Sequence, residues 1–361
     1  MQGTMSWVGL DVHARSTHGA AINSLTGELA RARFGPGVEP VIAWLGGLEG
    51  PVRAVYEAGP TGFGLARAAE RAGLEVMVAA PSKTPRAKGE RVKTDRKDAE
   101  LLARLLLAGS LKAVSVPPDW LESVRHLARV REAVRRDLGR SRQRVSKLLL
   151  IEGRVYPEPT TWNQRHRAWI ARQRFEHEPT ELALIDLLAA VDGLAARRAA
   201  LDERLARLAQ DPRLWPTVAR LRAFRGVDTL TALALHLELG GDWQRFRSPA
   251  KLAAWLGLTP SLEQSGESKT QGAITKTGSA IARRLLVEAA WHYLRAPRIG
   301  ATLHNRQAGQ PAHVLQIAWR AQHRLHRTHQ RLRDRNKPGN VVTVAVAREL
   351  AGFLWAAATA P

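Results

Sequence analysis

Between residues 6 and 118 short apolar runs alternate with helix-period segments in a fixed order, and that order leaves few folds open. Trp7-Val8-Gly9-Leu10 is a strand pattern ending in Asp11. His18–Asn23 and Ala30–Phe34 follow, with Leu25-Thr26-Gly27 as the turn between them. A helix is predicted over Val41–Leu48, and a fourth strand, Ala54-Val55-Tyr56, ends in Glu57. Thr61–Ala72 reads as a helix stopped by Gly73, Leu74–Ala79 as a fifth strand closed by Pro81, and Asp95–Ala108 as a third helix. Three strands followed by alternating helices and strands predict an α/β domain at 1–118, a mixed sheet with helices on its faces.

The rest of the chain predicts an all-α region. Leu187, Val191, Leu194, Leu201, Leu205 and Leu208 keep 4-3 spacing, interrupted at Arg198, which is a coiled-coil-like seam. A basic helix over about 121–151 precedes it. Pro157 and Pro159 separate the two, so residues 119–215 are expected to form an antiparallel hairpin. Residues 216–361 form a mostly helical domain. It begins with Gly226-Val227-Asp228-Thr229, a turn feeding a helix, which suits either a helix-hairpin-helix phosphate contact or a plain helix start. Helix 250–256, a long polar loop over 261–278, a helix capped by Ser279, a basic helix and an apolar helix from Val341 to about Ala357 follow.

Charge narrows the function. The chain carries 55 Lys and Arg against 33 Asp and Glu, a net +22, and a polyanionic partner, most simply nucleic acid, follows. Arginine-biased codons explain a choice of Arg over Lys but not so few carboxylates. The excess gathers in three places: seven Lys/Arg between Lys83 and Lys97, nine between Arg125 and Lys147, and six between Arg324 and Lys337. With no Cys there are no disulfides, thiolate metal sites or Cys nucleophile. Met1–Asp11 lacks a signal pattern, and no window reaches 18 apolar residues. The chain is expected to be cytoplasmic, without a transmembrane helix.

Asp11 and Glu57 end strands one and four, and Asp95 and Asp98 open the helix after the basic loop. If the two strands are neighbours, these carboxylates converge, and four hard oxygen donors suit Mg²⁺, with Mn²⁺ as a substitute. Two such ions can activate an attacking oxygen and stabilise a leaving one in phosphoryl transfer. The competing reading has Asp95 capping its helix with Asp98 as capping-box partner. Lys83, Arg86, Lys88, Arg91, Lys93 and Arg96 would hold a phosphate backbone beside the acids, and Arg129, Arg136, Arg140 and Arg144 would do so along the basic helix. In the 261–278 loop Lys269 and Lys276 accompany many hydroxyls, with Arg283 just beyond, but the residues alone single out no nucleophile.

Three blocks together resemble the DEDD transposases of the "IS-one-ten" insertion sequences, the bridge-RNA-guided recombinases. The first joins GLDVH (9–13), YEAGPTGFGLAR (56–67) and TDRKDAELLARLL (94–106). The second joins FRGVDTLTALALHLELGGDWQRF and LAAWLGLTP; the third is QSGESKTQGAITKTGSAIARRLLVEAAW (264–291). The resemblance implies a RuvC-like RNase H fold at 1–118 with Asp11, Glu57, Asp95 and Asp98 as its metal site. It implies a transposase domain at 216–361 whose serine becomes linked to DNA phosphate. The family pattern near that serine reads Ser-Ser-Gly. Here Gln264-Ser265-Gly266 lacks the first Ser, so the role passes to Ser265. Glu267 stands where Gly is common, and Ser279 where Asn or Asp is common, so Ser279 reads as a helix cap. The implied partners are target and donor DNA, a noncoding bridge RNA, and further copies of the chain in a homo-oligomer, a dimer of dimers whose composite sites draw on different subunits. A RuvC-like junction nuclease, using the acids without a covalent step, is the alternative.

Overall fold

The computed structural model describes residues 4–85, 94–265 and 268–361, with residues 263, 265, 268 and 269 described by backbone alone. Two compact units are found, Met1–Pro117 and Pro118–Pro361. The helical region and C-terminal domain that the sequence separates at 215 share the second unit, because Leu121 and Leu205 enter one core with Leu214, Leu221 and Leu233.

The first unit runs β1 (Ser6–Val12), β2 (Thr17–Asn23), β3 (Leu29–Phe34), α1 (Glu39–Gly46), β4 (Val52–Glu57), α2 (Gly64–Arg71), β5 (Glu75–Ala79) and α3 (Asp95–Leu107). The sheet order is β3-β2-β1-β4-β5: β1 to β3 form an antiparallel meander, and β4 and β5 continue parallel to β1. Side chains alternate faces along each strand. Val8, Leu10, Ala54 and Tyr56 pack with Val41 and Leu45 of α1 and Leu65 of α2. Trp7, Val55 and Ala79 face the other way, onto Leu102 and Leu106 of α3.

Gly9 sets how closely α3 lies on β1. A Cβ there would collide with the Ala99 carbonyl oxygen and the Ala103 amide nitrogen and lie 2.9 Å from Leu102 Cβ. Only a residue without a side chain lets the helix backbone approach so near.

The second unit is led by α4 (Asp119–Ile151), α5 (Gln164–Ala171) and α6 (Glu178–Leu208). α4 and α6 pack antiparallel: Arg131 Nε pairs with Asp202 Oδ1 at 2.6 Å, while Leu138, Val145 and Leu149 share a core with Leu184 and Val191. The 4-3 seam is therefore turned onto the chain's own α4, with Val191, Leu201 and Leu205 buried and Leu208 left exposed. Then come α7 (Trp215–Arg222), α8 (Thr229–Glu238), α9 (Pro249–Trp255), the strands β6 (Pro260–Ser265) and β7 (Ser268–Ile274), and α10 (Ala280–Ala290), α11 (Ala301–Gln307), α12 (Ala312–Asp334) and α13 (Gly339–Thr359).

One expectation needs correction and one needs sharpening. Residues 261–278, read as a loop, contain an antiparallel strand pair from Pro260↔Ile274 to Ser265↔Ser268. Its Pro, Gly, Glu and Lys are weak strand formers, and backbone pairing rather than side-chain patterning makes the ladder. α13 is, by length and a mean hydropathy of 1.6, apolar enough to cross a membrane. The expectation of no such helix demanded an unbroken apolar run, whereas mean hydropathy tolerates Arg348 and Glu349. In the structure Val342, Val346, Leu350 and Leu354 of α13 are fully or almost fully buried, against α7, α9, α10 and α12.

Candidate active site

Parallel register makes the first half of the site. Leu10 pairs with Tyr56, so Asp11 and Glu57, each one residue further, leave adjacent strands side by side. Asp11 shares the strand parity of Trp7, and Glu57 that of Val55, so both carboxylates belong to the face that α3 covers. α3 makes the second half. Thr94 is its N-cap, its hydroxyl accepting from Lys97 N at 3.4 Å. That removes the competing reading of Asp95 as the cap and leaves its carboxylate to the cleft. Asp11, Glu57, Asp95 and Asp98 line one cavity of about 600 Å³, together with Pro81 and Thr84.

Two histidines join them, one of which the sequence marks only as part of the GLDVH block. His13 Nε2 lies 3.1 Å from Asp11 Oδ2 and 3.8 Å from Asp95 Oδ1. His18 stands opposite Asp11 in the β1–β2 ladder, its Nδ1 3.7 Å from Asp95 Oδ2. The signals were the period-2 spacing of Asp11 and His13, and a His at the start of the returning strand. Burial raises the Asp11 carboxyl above its usual range; His13 acts the other way, while Asp95 and Asp98 add to the rise. Mutually repelling carboxylates on a half-buried cleft are a donor set that a divalent cation relieves. The ligand atoms of Asp11, His13 and Asp95 all lie within 4.8 Å of one another. Carboxylate oxygens in the majority suit a hard ion such as Mg²⁺.

The expected cationic contacts fall into three groups. Lys83 and Arg96 are exposed beside the cleft, in the 3₁₀ turn Pro81–Lys83 and the first turn of α3. Arg86, Lys88, Arg91 and Lys93 lie outside the described residues, as does the side chain of Lys269. In the second unit Arg136, Arg140 and Arg144 are exposed at successive i+4 positions of α4, with Arg140 paired to Asp137, and Lys276 is exposed in a left-handed conformation (φ 54°).

Arg129, although half exposed, and the half-buried Arg283 direct their hydrogen bonds into the fold instead. Arg129 makes two hydrogen bonds to the buried Glu238, Nε to Oε1 at 2.9 Å and Nη2 to Oε2 at 3.2 Å. A carboxylate so buried requires a cation. Arg283 Nη1 donates to the carbonyls of Leu256, Thr277 and Gly278, fixing the chain that leaves β7. Ser279 Oγ donates to Glu238 Oε2 at 2.7 Å and accepts from Ala282 N at 3.2 Å, the N-cap of α10. Ser265 is the last residue of β6, paired with Ser268, and its side chain lies outside the described atoms.

Residues 8–152 match a family described as "Transposase", and residues 218–305 match the "Transposase IS116/IS110/IS902 family". A putative transposase of Sinorhizobium fredii is 42% identical over 303 residues, covering 84% of this chain and 74% of the relative. The transposase for an insertion sequence element of Leptospira borgpetersenii is 31% identical over 340 residues, covering 92% of this chain and 97% of the relative. The first match spans the strands and helix that carry the GLDVH, YEAGPTGFGLAR and TDRKDAELLARLL blocks, the second the helices around the polar hairpin. With relatives aligned along most of both chains, this protein belongs to the IS110 family of DEDD transposases.

Proposed function

We propose that this transposase cuts and exchanges DNA strands through a serine ester, with Mg²⁺ held by Asp11, Glu57, Asp95 and Asp98 of an RNase H-like domain. The observation that carries the reading is the convergence of those four carboxylates on one cavity. Mg²⁺ bound there would polarise the scissile phosphate. Ser265 Oγ attacks phosphorus, its proton passing to solvent, and a P–O bond to the DNA sugar breaks, the departing alkoxide taking a proton from water. One phosphate ester replaces another, so the bond remains available for rejoining. Engagement of the Ser279 hydroxyl by Glu238 and Ala282 supports Ser265 over its neighbour. The exposed Lys83, Arg96, Arg136, Arg144 and Lys276 hold phosphate backbones of target DNA, donor DNA and a noncoding bridge RNA, whose base pairing reads sequence. The chain works as a homo-oligomer. Leu150, Ile151, Leu182 and Ile185, exposed apolar residues near the ends of α4 and α6, support self-association.

The test is cleavage of labelled DNA in Mg²⁺, resolved on a denaturing gel with RNA extracted from the purified protein. Wild type is expected to leave a protein–DNA adduct. Ser265→Ala should abolish it, and Asp11→Asn should slow cleavage by about 100-fold or more, the scale of losing a preorganised electrostatic group. Cleavage that persists without any adduct would instead identify a junction nuclease.

A further inference from the structure

A second cavity, of about 820 Å³, opens in the second unit around the turn between α7 and α8. Arg225, Arg295, Arg298 and Arg306 line it with His292, and Asp228 is the one carboxylate among the residues lining it. That carboxylate is engaged as the N-cap of α8, accepting from Thr231 N at 2.7 Å. Among the described residues none of the four arginines forms an ion pair with a carboxylate within 4.0 Å. Two of them are held by backbone oxygens instead. Arg225 Nη1 donates to the carbonyls of Arg295 (3.2 Å) and Ala296 (2.8 Å), and Arg306 Nη1 to that of Val227 (2.7 Å). Arg306 Nε is buried and, among the described residues, without a hydrogen-bond partner.

The frame around these cations is rigid. Gly226 has φ +80°, and a Cβ there would lie 2.6 Å from the Ala289 carbonyl oxygen and 3.0 Å from His292 Cδ2. The turn is thus pressed onto the end of α10. Gln307 Nε2 ties α11 to the Ala223 carbonyl, and Gln322 Oε1 of α12 accepts from Arg298 N. Burial first, and then Arg225, Arg295 and Arg306, hold the His292 imidazole below its ordinary range. Folding has gathered four guanidiniums around a single lining carboxylate, Asp228, whose charge favours Arg306, and the remaining excess of like charge carries an energetic cost that an external anion would relieve. Guanidinium forks match phosphate oxygens. The volume is on the scale of a ligand site, but the exposed Arg295 and Arg298 keep it open at the surface, which suits a length of polyanion.

We infer that this arginine-lined cavity is a binding site for consecutive phosphodiesters of a nucleic-acid strand, separate from the acidic cleft and from the polar hairpin. The inference rests on the nucleic-acid reading above only for the identity of the polyanion. Arg295 and Arg298 are the positions to test, since among the described residues their guanidiniums make no hydrogen bond or ion pair, and both are exposed. The double variant Arg295→Gln/Arg298→Gln should melt like wild type by circular dichroism. Fluorescence anisotropy with a labelled DNA duplex and, separately, a labelled RNA hairpin is then read across a salt series. Removing a cation that neutralises one phosphate lowers the slope of log affinity against log salt by about one unit. A drop of about two is expected with at least one probe, and the probe that shows it names the strand. A control pair on α6, Arg197→Gln/Arg207→Gln, should change the slope less. Slopes unchanged with both probes, or falling equally for the control pair, would overturn the site while leaving the transposase reading intact. Wild type that binds neither probe would overturn both. Asp11→Asn separates the two claims, since it should lose cleavage and keep the full salt slope.

Discussion

Gly9 and His236 show how single residues hold the two units. At Gly9 the helix backbone of α3 occupies the space of a side chain, so the residue also governs where Asp95 and Asp98 stand over the end of β1. Gly9→Ala is expected to destabilise the protein by about 1–3 kcal/mol, the usual scale of overpacking, with cleavage falling further than stability alone explains. Urea unfolding and a single-turnover assay on the same sample separate the two effects. His236 is buried, and its Nδ1 accepts from Trp243 Nε1 at 3.1 Å. A proton on Nδ1 would face the indole N–H, and burial pushes the imidazole down to about 4 from its ordinary 6.5. Unfolded His binds its proton near pH 6.5 and the native residue does not until about pH 4. The unfolded chain therefore holds more protons in that window, and stability falls as pH drops through it, by about 3 kcal/mol in all, then levels off. His236→Asn keeps an acceptor for the indole and cannot titrate, so its melting temperature should fall less steeply between pH 6.5 and 4 than that of wild type.

The elements differ in how visible they were. Strands with β-branched and aliphatic residues alternating across a sheet, and helices with an apolar stripe, were read from period alone. The Pro260–Ile274 hairpin was not, because its hydroxyl and glycine residues mimic a loop and only pairing across the strands shows otherwise. Among helices, α13 has the composition of a membrane span, yet packing makes it a core element. Leu350→Ala, at a fully buried position, should therefore cost about 2–5 kcal/mol in detergent-free buffer, measured by urea unfolding. A change under about 0.5 kcal/mol would show that this face of α13 is not packed as described. α4 is braced by its buried Glu132, which accepts from Arg135 Nη2 at 2.8 Å and from Arg284 Nη2 of α10 at 2.7 Å. Those cations hold its carboxyl below the usual range against the effect of burial. Removing the carboxylate would take away the ion pair of Arg135 and leave Arg284 with Glu288 alone.

Across the whole molecule, the net +22 has both an inward and an outward use. Arg129, Arg131, Arg135, Arg283 and Arg284 are struts that hold buried or half-buried acids and carbonyls, whereas Arg136 and Arg144 on α4 and the arginines of the α7–α8 cavity face the surface or an open cavity. Nucleic-acid binding should weaken steeply with salt, by roughly 0.9 log unit per log unit for each duplex phosphate neutralised. A measured slope below about two would mean that most of the arginine serves the fold. The sequence by itself determined the order of elements in the first unit, the helical hairpin, the Ser279 cap and the placement of four acids at strand and helix ends, since each is a local pattern of period, capping or strand end. Only the tertiary structure decided that β1 and β4 are neighbours in register, that Thr94 takes the cap and frees Asp95, that His13 and His18 border the acids, and that residues 118–361 share one unit. The arginines of the second cavity are drawn from segments on either side of α8, α9 and α10 and carry no pattern that marks them. Strand pairing, close helix approach and charge clustering join residues far apart in sequence, and nothing in a linear period records which distant segment will arrive.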